Sequence, residues 1–372
     1  MNAVEALPPI GHAARPDAVR AVLDGATLLV STPSNVRWLT GFGGSLGWAV
    51  IGPDRFTLVT DGRYEERAAA DLARVGVDAD VVTGRTRAEV RDRLVTAASG
   101  TSAPVRAEAG HLSHAAWLDL TKDLDLEPDG GTIAGQRRVK DTGEVARIAL
   151  AAELADGALA KVAPFLPDKP TEADIRDELE HTMRGLGADG PSYDTIVASG
   201  PDHAARPHHQ TGRRRIVEGD TVVIDVGALV DGYHSDMTRS FVVGEPTAQQ
   251  VDIYALVLFA QRAGLAAVAP GVEARAVDAV CRDIFADAGY ADWYVHGTGH
   301  GVGLDIHEDP FETTISEDRL VEGDVVTIEP GLYRGGFGGF RIEDLVAVTA
   351  TGCRTLTGLP KDSPCLPSRP TT

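Results

Sequence analysis

Short apolar runs separated by polar turns open the chain. Runs at residues 27–30, 48–51 and 56–60 predict strands, and 64–73 predicts a helix. Further strands are predicted at 77–82 and 105–108, with a helix at 87–98 between them. Strands alternating with helices in this way predict an α/β domain, and Asp129-Gly130-Gly131 marks a break after it. Beyond the break the pattern changes. An apolar stripe over 144–165 predicts one helix. Thr171-Glu-Ala-Asp174 has the form of a capping box and opens a second, which fades at Gly185 and Gly187. Strands are predicted at 195–198 and within 221–243. The order then repeats, with a helix capped by Thr247-Ala-Gln-Gln250 and running to 269, another at 273–288, and strands at 325–329 and 340–348. Two helices followed by strands, twice over, predict a pseudo-symmetric α+β domain with its helices packed on one antiparallel sheet.

The repeat also carries chemistry. Val217-Glu218-Gly219-Asp220 through Asp225-Val226-Gly227 returns as Val321-Glu322-Gly323-Asp324 through Glu329-Pro330-Gly331. Gly232-Tyr-His-Ser-Asp236 is echoed by Gly339-Phe-Arg-Ile-Glu343. One such match is accounted for by a reused Glu-Gly-Asp turn. Two matching pairs of acids point to a site shared between the halves. Val222, Ile224 and Val226 face one side of their strand, so Asp225 faces the other. With Asp231-Gly232 as a hairpin turn, Asp225 falls opposite Thr238, and Asp236 becomes its diagonal neighbour at roughly 7–8 Å. Two acids on one half-buried face repel unless a cation or a shared proton lies between them. In the second half, Glu329 ends an apolar strand. Arg341, two residues before Glu343, is expected to share its face, orient that carboxylate and balance its charge.

Between these strands lies His296-Gly-Thr-Gly-His300-Gly-Val-Gly-Leu-Asp-Ile-His307. Glycines at 297, 299, 301 and 303 make a helical two-histidine zinc site improbable, and they do not form a dinucleotide-binding fingerprint. A loop or irregular strand that brings histidines close to a ligand is expected instead. Gly43-Gly44-Ser45-Leu46-Gly47 matches the serine-hydrolase elbow, but that elbow needs a helix straight after the serine, and 48–51 reads as a strand.

Composition narrows the setting. At 372 residues, 43% hydrophobic and 24% charged, the chain is that of a folded soluble protein of two domains. No apolar run is long enough to span a membrane, and the first thirty residues lack a signal-peptide pattern. Three cysteines without CxxC spacing fit a reducing cytoplasm. A net charge of −20 argues against nucleic acid or an anionic membrane as partner. Arg213-Arg214-Arg215 reads as a solvated loop.

Taken together, Asp225, Asp236, His300, Glu329 and Glu343 stand in the order and context of the metal ligands of "pita-bread" metallopeptidases, and the chain resembles the aminopeptidase P/prolidase (creatinase-like) family. Arg138-Val-Lys140, Glu144 and Arg341-Ile-Glu-Asp344 carry the likeness in the catalytic half. Asn35 through Phe42 and Thr60-Asp-Gly-Arg-Tyr64 carry it in the first. Methionine aminopeptidases resemble the same catalytic fold but lack the N-terminal domain, the histidine at the place of His296 and the Arg-x-Glu ending at Glu343. The resemblance implies a creatinase-like α/β domain over 1–130 and a pseudo-symmetric pita-bread catalytic domain over 138–360. It implies two divalent ions that activate water against a peptide bond, with Asp236 and Glu343 bridging, Asp225 on one side, and His300 and Glu329 on the other. The oxygen-rich donor set suits Mn2+ and accommodates Co2+ or Zn2+. His296, His307 and Glu329 are implied as catalytic groups, and His208 and Arg341 as substrate contacts. Ser199-Gly-Pro-Asp202 departs from the family, which often has asparagine at the last position. The substrate implied is a proline-containing peptide and the assembly a homodimer. An Xaa-Pro aminopeptidase is favoured slightly over an Xaa-Pro dipeptidase. A non-catalytic peptide-binding protein, or metal-free creatinase-type chemistry, would require missing ligands, and all five are present.

Overall fold

A computed structural model describes residues 3–100 and 104–367; residues 1–2 and 101–103, which fall within the expected first domain, lie outside the described ones. Two compact units divide the chain. One covers Pro9–Arg137; the other runs from Arg138 onward and includes the segment ending at Pro8.

The first unit is built on a six-stranded mixed sheet in the order β4-β3-β2-β1-β5-β6. Its strands are β1 (Thr27–Val30), β2 (Trp48–Ile51), β3 (Phe56–Asp61), β4 (Asp80–Gly84), β5 (Val105–Ala107) and β6 (Leu126–Pro128). Central β1 is buried at every position, as a strand covered on both faces must be, which is why it reads as an unbroken apolar run. The two helices expected from periodicity are α3 (Glu65–Val75) and α4 (Arg87–Ala98). The pattern left α1 (Arg15–Leu23), α2 (Pro33–Thr40), α5 (His114–Leu120) and α6 (Thr132–Arg137) unassigned. Helix α2 starts on a proline, and its N-terminus is capped from far away. The buried Glu108 carboxylate accepts from the amides of Ser31 and Thr32, both at 2.6 Å. Leu29, Val50, Val59, Val90, Leu94 and Leu120 form one core between the sheet and these helices. Ser45 is followed by strand β2 and its hydroxyl pairs with Tyr64 (2.8 Å), so the hydrolase-elbow pattern is a coincidence of sequence.

The second unit is the pseudo-symmetric α+β domain that the repeat predicted, joined to this N-terminal domain in a two-domain chain. Its first half contains α7 (Thr142–Val162), α8 (Glu172–Leu186), short α9 (Gly200–His203), and the strands β7 (Gly190–Pro191), β8 (Ile196–Ser199), β9 (Thr221–Asp225), β10 (Ala228–Val230), β11 (Tyr233–His234) and β12 (Thr238–Val242). The second half contains α10 (Ala248–Ala267) and α11 (Ala274–Asp287). Its strands are β13 (Gly299–Gly301), β14 (Glu308–Glu312), β15 (Val325–Ile328), β16 (Gly331–Arg334), β17 (Gly338–Arg341), β18 (Asp344–Thr349) and β19 (Gly352–Thr355). Helices α7, α8 and α10 each open on a reciprocal capping box, two of them at the motifs beginning at Thr171 and Thr247.

The duplicated turn is physically the same object in both halves. Asp220 accepts from the Val217 amide and Asp324 from the Val321 amide, each at 2.8 Å, around glycines with φ of +85° and +94°. Each carboxylate is then clamped by an arginine. Arg214 holds Asp220 at 2.6 and 2.9 Å, and Arg138 holds Asp324 at 2.8 and 3.0 Å. Arg214 is therefore a committed ion-pair partner and not part of a solvated loop, because tandem donors meet a nearly buried acid.

One expectation is corrected. The domain does not carry one continuous sheet. Its strands form separate antiparallel ladders, β12-β9-β8 and β14-β13-β15-β18-β19, with small ladders of β11-β10-β7 and β16-β17. Where the halves meet, side chains replace the ladder. Ser240 Oγ donates to the Arg341 carbonyl (2.8 Å) and accepts from the Arg341 amide (3.0 Å), while the Glu343 amide reaches the Thr238 carbonyl (3.2 Å). The seam is thus satisfied without strand pairing, and the acids lie along it.

Candidate metal centre

Each predicted acid sits where regular pairing stops. Asp225 closes β9, Asp236 precedes β12, Glu329 follows β15, and Glu343 occupies the step between β17 and β18. Freed from the ladder, the side chains turn toward one another. The register is the predicted one, with Asp225 opposite Thr238. The hairpin turn has positive φ at both Asp231 (+48°) and Gly232 (+76°), which the asparagine- and glycine-like residues of a tight turn tolerate. His300 is held in the middle of β13, its amide donating to Thr327 Oγ1 (3.1 Å). Its neighbours must be glycine. A Cβ on Gly299 would lie 2.0 Å from the Thr327 carbonyl oxygen, and one on Gly301 2.5 Å from that of Asp309.

The His300 Nδ1 lies 3.0 Å from the Gly301 carbonyl, which can only accept, so Nδ1 carries the proton. Nε2 then presents a lone pair to Asp236 Oδ2 (3.6 Å) and Glu329 Oε1 (3.5 Å). Burial lowers the pKa of this imidazole to about 4, keeping it neutral near pH 7. Glu343 accepts from Thr238 Oγ1 through Oε2 (2.7 Å), while its buried Oε1 has no partner among the described residues. Burial, then repulsion from Asp225, raises Asp236 well above the carboxylate range. Burial, then Asp236, does the same to Glu343, and burial lifts Glu329 to about 7. Donor atoms of Asp236, His300 and Glu343 all lie within 4.8 Å of one another. Crowded acids, an orphaned carboxylate oxygen and a neutral imidazole with a free lone pair, with no thiolate, are a set that a divalent metal would satisfy. The residues fit such an ion.

The surroundings correct the expected partner of Arg341. Its Nη2 donates to Asp225 Oδ2 at 2.6 Å, Nε to Thr238 Oγ1 at 2.9 Å, and Nη1 to the Pro207 carbonyl at 2.8 Å and to Tyr333 Oη at 3.0 Å. It makes no bond to Glu343. The bend between β17 and β18 breaks the two-residue alternation, so residues two apart no longer share a face. Asp225 and Asp236 also share one donor, the hydroxyl of half-buried Tyr193, whose pKa is raised by desolvation and by these acids. Tyr193 lay outside every motif. Thr238 was readable only as the register partner of Asp225. Tyr333 relays Arg341 to His296, whose Nε2 is 3.0 Å from the phenol and whose Nδ1 donates to the Gly297 carbonyl (2.7 Å). Burial takes His296 down to about 4. The ring of His307 stands edge-on to that of His300 at 4.4 Å. His208 is exposed at the rim. All nine residues singled out from the sequence line one cavity of about 590 Å³, with Ile196, Ile306 and Phe311 as its apolar wall.

Comparison with known proteins identifies the family. Residues 146–350 match metallopeptidase family M24, and residues 20–139 match the creatinase/prolidase N-terminal domain. The chain is 36% identical over 340 residues, 91% of its length and 95% of the relative's, to a Bacillus subtilis protein described as the uncharacterized peptidase YqhT. It is 42% identical over 221 residues to the Xaa-Pro dipeptidase of Pyrococcus furiosus, covering 59% of this chain and 63% of that one. The solved structure of an Xaa-Pro dipeptidase from Bacillus anthracis superposes with a TM-score of 0.88 at 32% identity, covering 94% of this chain and 98% of that one.

Proposed function

The chain belongs to metallopeptidase family M24, and from that premise we propose that it is an Xaa-Pro dipeptidase. The observation that carries the catalytic part is the buried cluster of Asp225, Asp236, His300, Glu329 and Glu343 in one cavity. The substrate part is supported by relatives described as Xaa-Pro dipeptidases at up to 42% identity, against 30% for the X-Pro aminopeptidase of Thermotoga maritima, and these weigh against the aminopeptidase slightly favoured by the sequence. The five residues would hold two divalent ions, Mn2+ by preference of the oxygen-rich set. Bound there, the ions would supply Lewis acidity toward the scissile carbonyl and lower the pKa of water. Glu329, beside His300, would move a proton toward the leaving proline nitrogen. Arg341 and Tyr193 orient Asp225, and the Arg341–Tyr333–His296 chain fixes His296 against the cavity. His307 and His208, which line the cavity, would meet the polar groups of the substrate, and Ile306 and Phe311 would offer an apolar face to the pyrrolidine ring. No helix among the described residues is long and apolar enough to cross a membrane; a cytoplasmic homodimer is part of the same proposal.

The test is metal analysis followed by assay on Xaa-Pro and Xaa-Pro-Xaa peptides with added Mn2+. Cleavage of the dipeptide with refusal of the tripeptide is expected. Efficient cleavage of the tripeptide would move the assignment to an aminopeptidase, and metal-loaded protein inert to both would end the proline reading.

A further inference from the structure

A second cluster of metal-competent side chains lies in the same unit, away from the five ligands. Glu172 opens α8, His203 closes α9, and His209 follows in the connecting segment. The Glu172 side chain is fully buried, that of His209 is 7% exposed and that of His203 27%. Glu172 Oε1 accepts from the Ser199 amide (2.8 Å), the Ser199 hydroxyl (2.7 Å) and His203 Nδ1 (2.9 Å). Oε2 lies 3.0 Å from His203 Nδ1 and 3.4 Å from His209 Nε2. The two imidazoles stack at 4.1 Å, and His209 Nε2 is buried without a hydrogen-bond partner. One donor atom from each of the three residues falls within 4.8 Å of the others. Bonds of about 2.0–2.1 Å in a tetrahedron separate donor atoms by about 3.4 Å, which is the distance from Glu172 Oε2 to His209 Nε2, while the shorter Glu172–His203 contacts at 2.9 and 3.0 Å are hydrogen bonds that an ion would replace. The one adjacent guanidinium that reaches Ser199, that of Arg214, is neutralised on Asp220.

We propose that Glu172, His203 and His209 form a third, peripheral metal site of the zinc class, two imidazoles and one carboxylate with the fourth position open to water beside half-exposed His203. Such an ion would tie the first turn of α8 to the segment 203–209. That segment carries Pro207, whose carbonyl accepts from Arg341, and His208, which lines the cavity. Occupancy would therefore stiffen one wall of the substrate cavity without touching the reacting atoms. The inference does not rest on the substrate assignment.

The experiment equilibrates the full-length enzyme, first loaded with Mn2+, against Zn2+ and counts total bound metal per chain by elemental mass spectrometry, for wild type, His209→Asn and His203→Gln. Wild type is expected to hold one equivalent more than either variant, and Zn2+ is expected to raise the Tm of wild type only. Because the readout is a difference of one equivalent, it stands even if the five-residue centre binds fewer ions than proposed. Equal metal content in wild type and both variants overturns the site, whatever the total. Two variants are used so that misfolding of one, seen as loss of its thermal transition, leaves the other to decide.

Discussion

Arg341 of the second half-repeat places its Nη2 2.6 Å from Asp225 Oδ2 of the first, with the arginine side chain only 3% exposed. A cation buried beside an acid cluster fixes the Asp225 carboxylate in place, positioned to hold a metal together with the other acids. Lysine keeps the charge but cannot reproduce the fork that also holds Thr238, Pro207 and Tyr333. Arg341→Lys should therefore lower kcat at least about tenfold while metal content stays near that of wild type. Arg341→Met, which strands Asp225, should cost about 3–5 kcal/mol of stability by denaturant titration of the metal-free protein.

Removing a ligand should differ from removing a neighbour. Asp236→Ala and His300→Ala are expected to lose bound metal and peptidase activity together, measured by elemental analysis and turnover. His296→Gln should keep its metal and lose turnover, because His296 is tied to Gly297 and Tyr333 and not to the acids. Full activity in either ligand variant, or loss of metal from His296→Gln, would refute this division of roles.

Tyr193 shares its hydroxyl between Asp225 and Asp236. Tyr193→Phe removes that donor with little change of shape. Metal affinity should weaken by about 10–100-fold, as for other groups that orient a ligand from behind, which calorimetric titration with Mn2+ would measure.

The acid cluster makes the metal-free protein sensitive to pH in a definite direction. Burial raises Asp236 and Glu343 above their ordinary values of 3.8 and 4.5, and Glu329 from 4.5 to about 7. The folded state thus holds protons that the unfolded chain has released, and stability falls as pH rises through this window. The contribution is complete below the unfolded pKa values and is lost as pH rises through the folded ones, which for Glu329 lies at about 7 and for Asp236 and Glu343 well above their ordinary values. The Tm of metal-stripped enzyme should decline over that range, less steeply in Glu329→Gln, and Mn2+ should restore it on the alkaline side. A flat profile would mean the acids are not buried together.

The four acids and His300, the register of Asp225 against Thr238 and the duplicated turns at Asp220 and Asp324 were legible in the sequence. Each depends on short-range rules: a two-residue strand period, a turn demanding positive φ, and a repeat that copies both. What only the tertiary structure decided lies across bends and between segments far apart in the chain. Alternation placed Arg341 with Glu343, but the break between β17 and β18 turned it to Asp225. Periodicity predicted one sheet, yet the halves meet through the Ser240 side chain and a single Glu343–Thr238 backbone bond rather than a ladder. Tyr193 and the Glu172–His203–His209 cluster carried no local signal at all. Their positions follow from the packing of whole elements, and no pattern of neighbouring residues encodes the distance between two strands' ends.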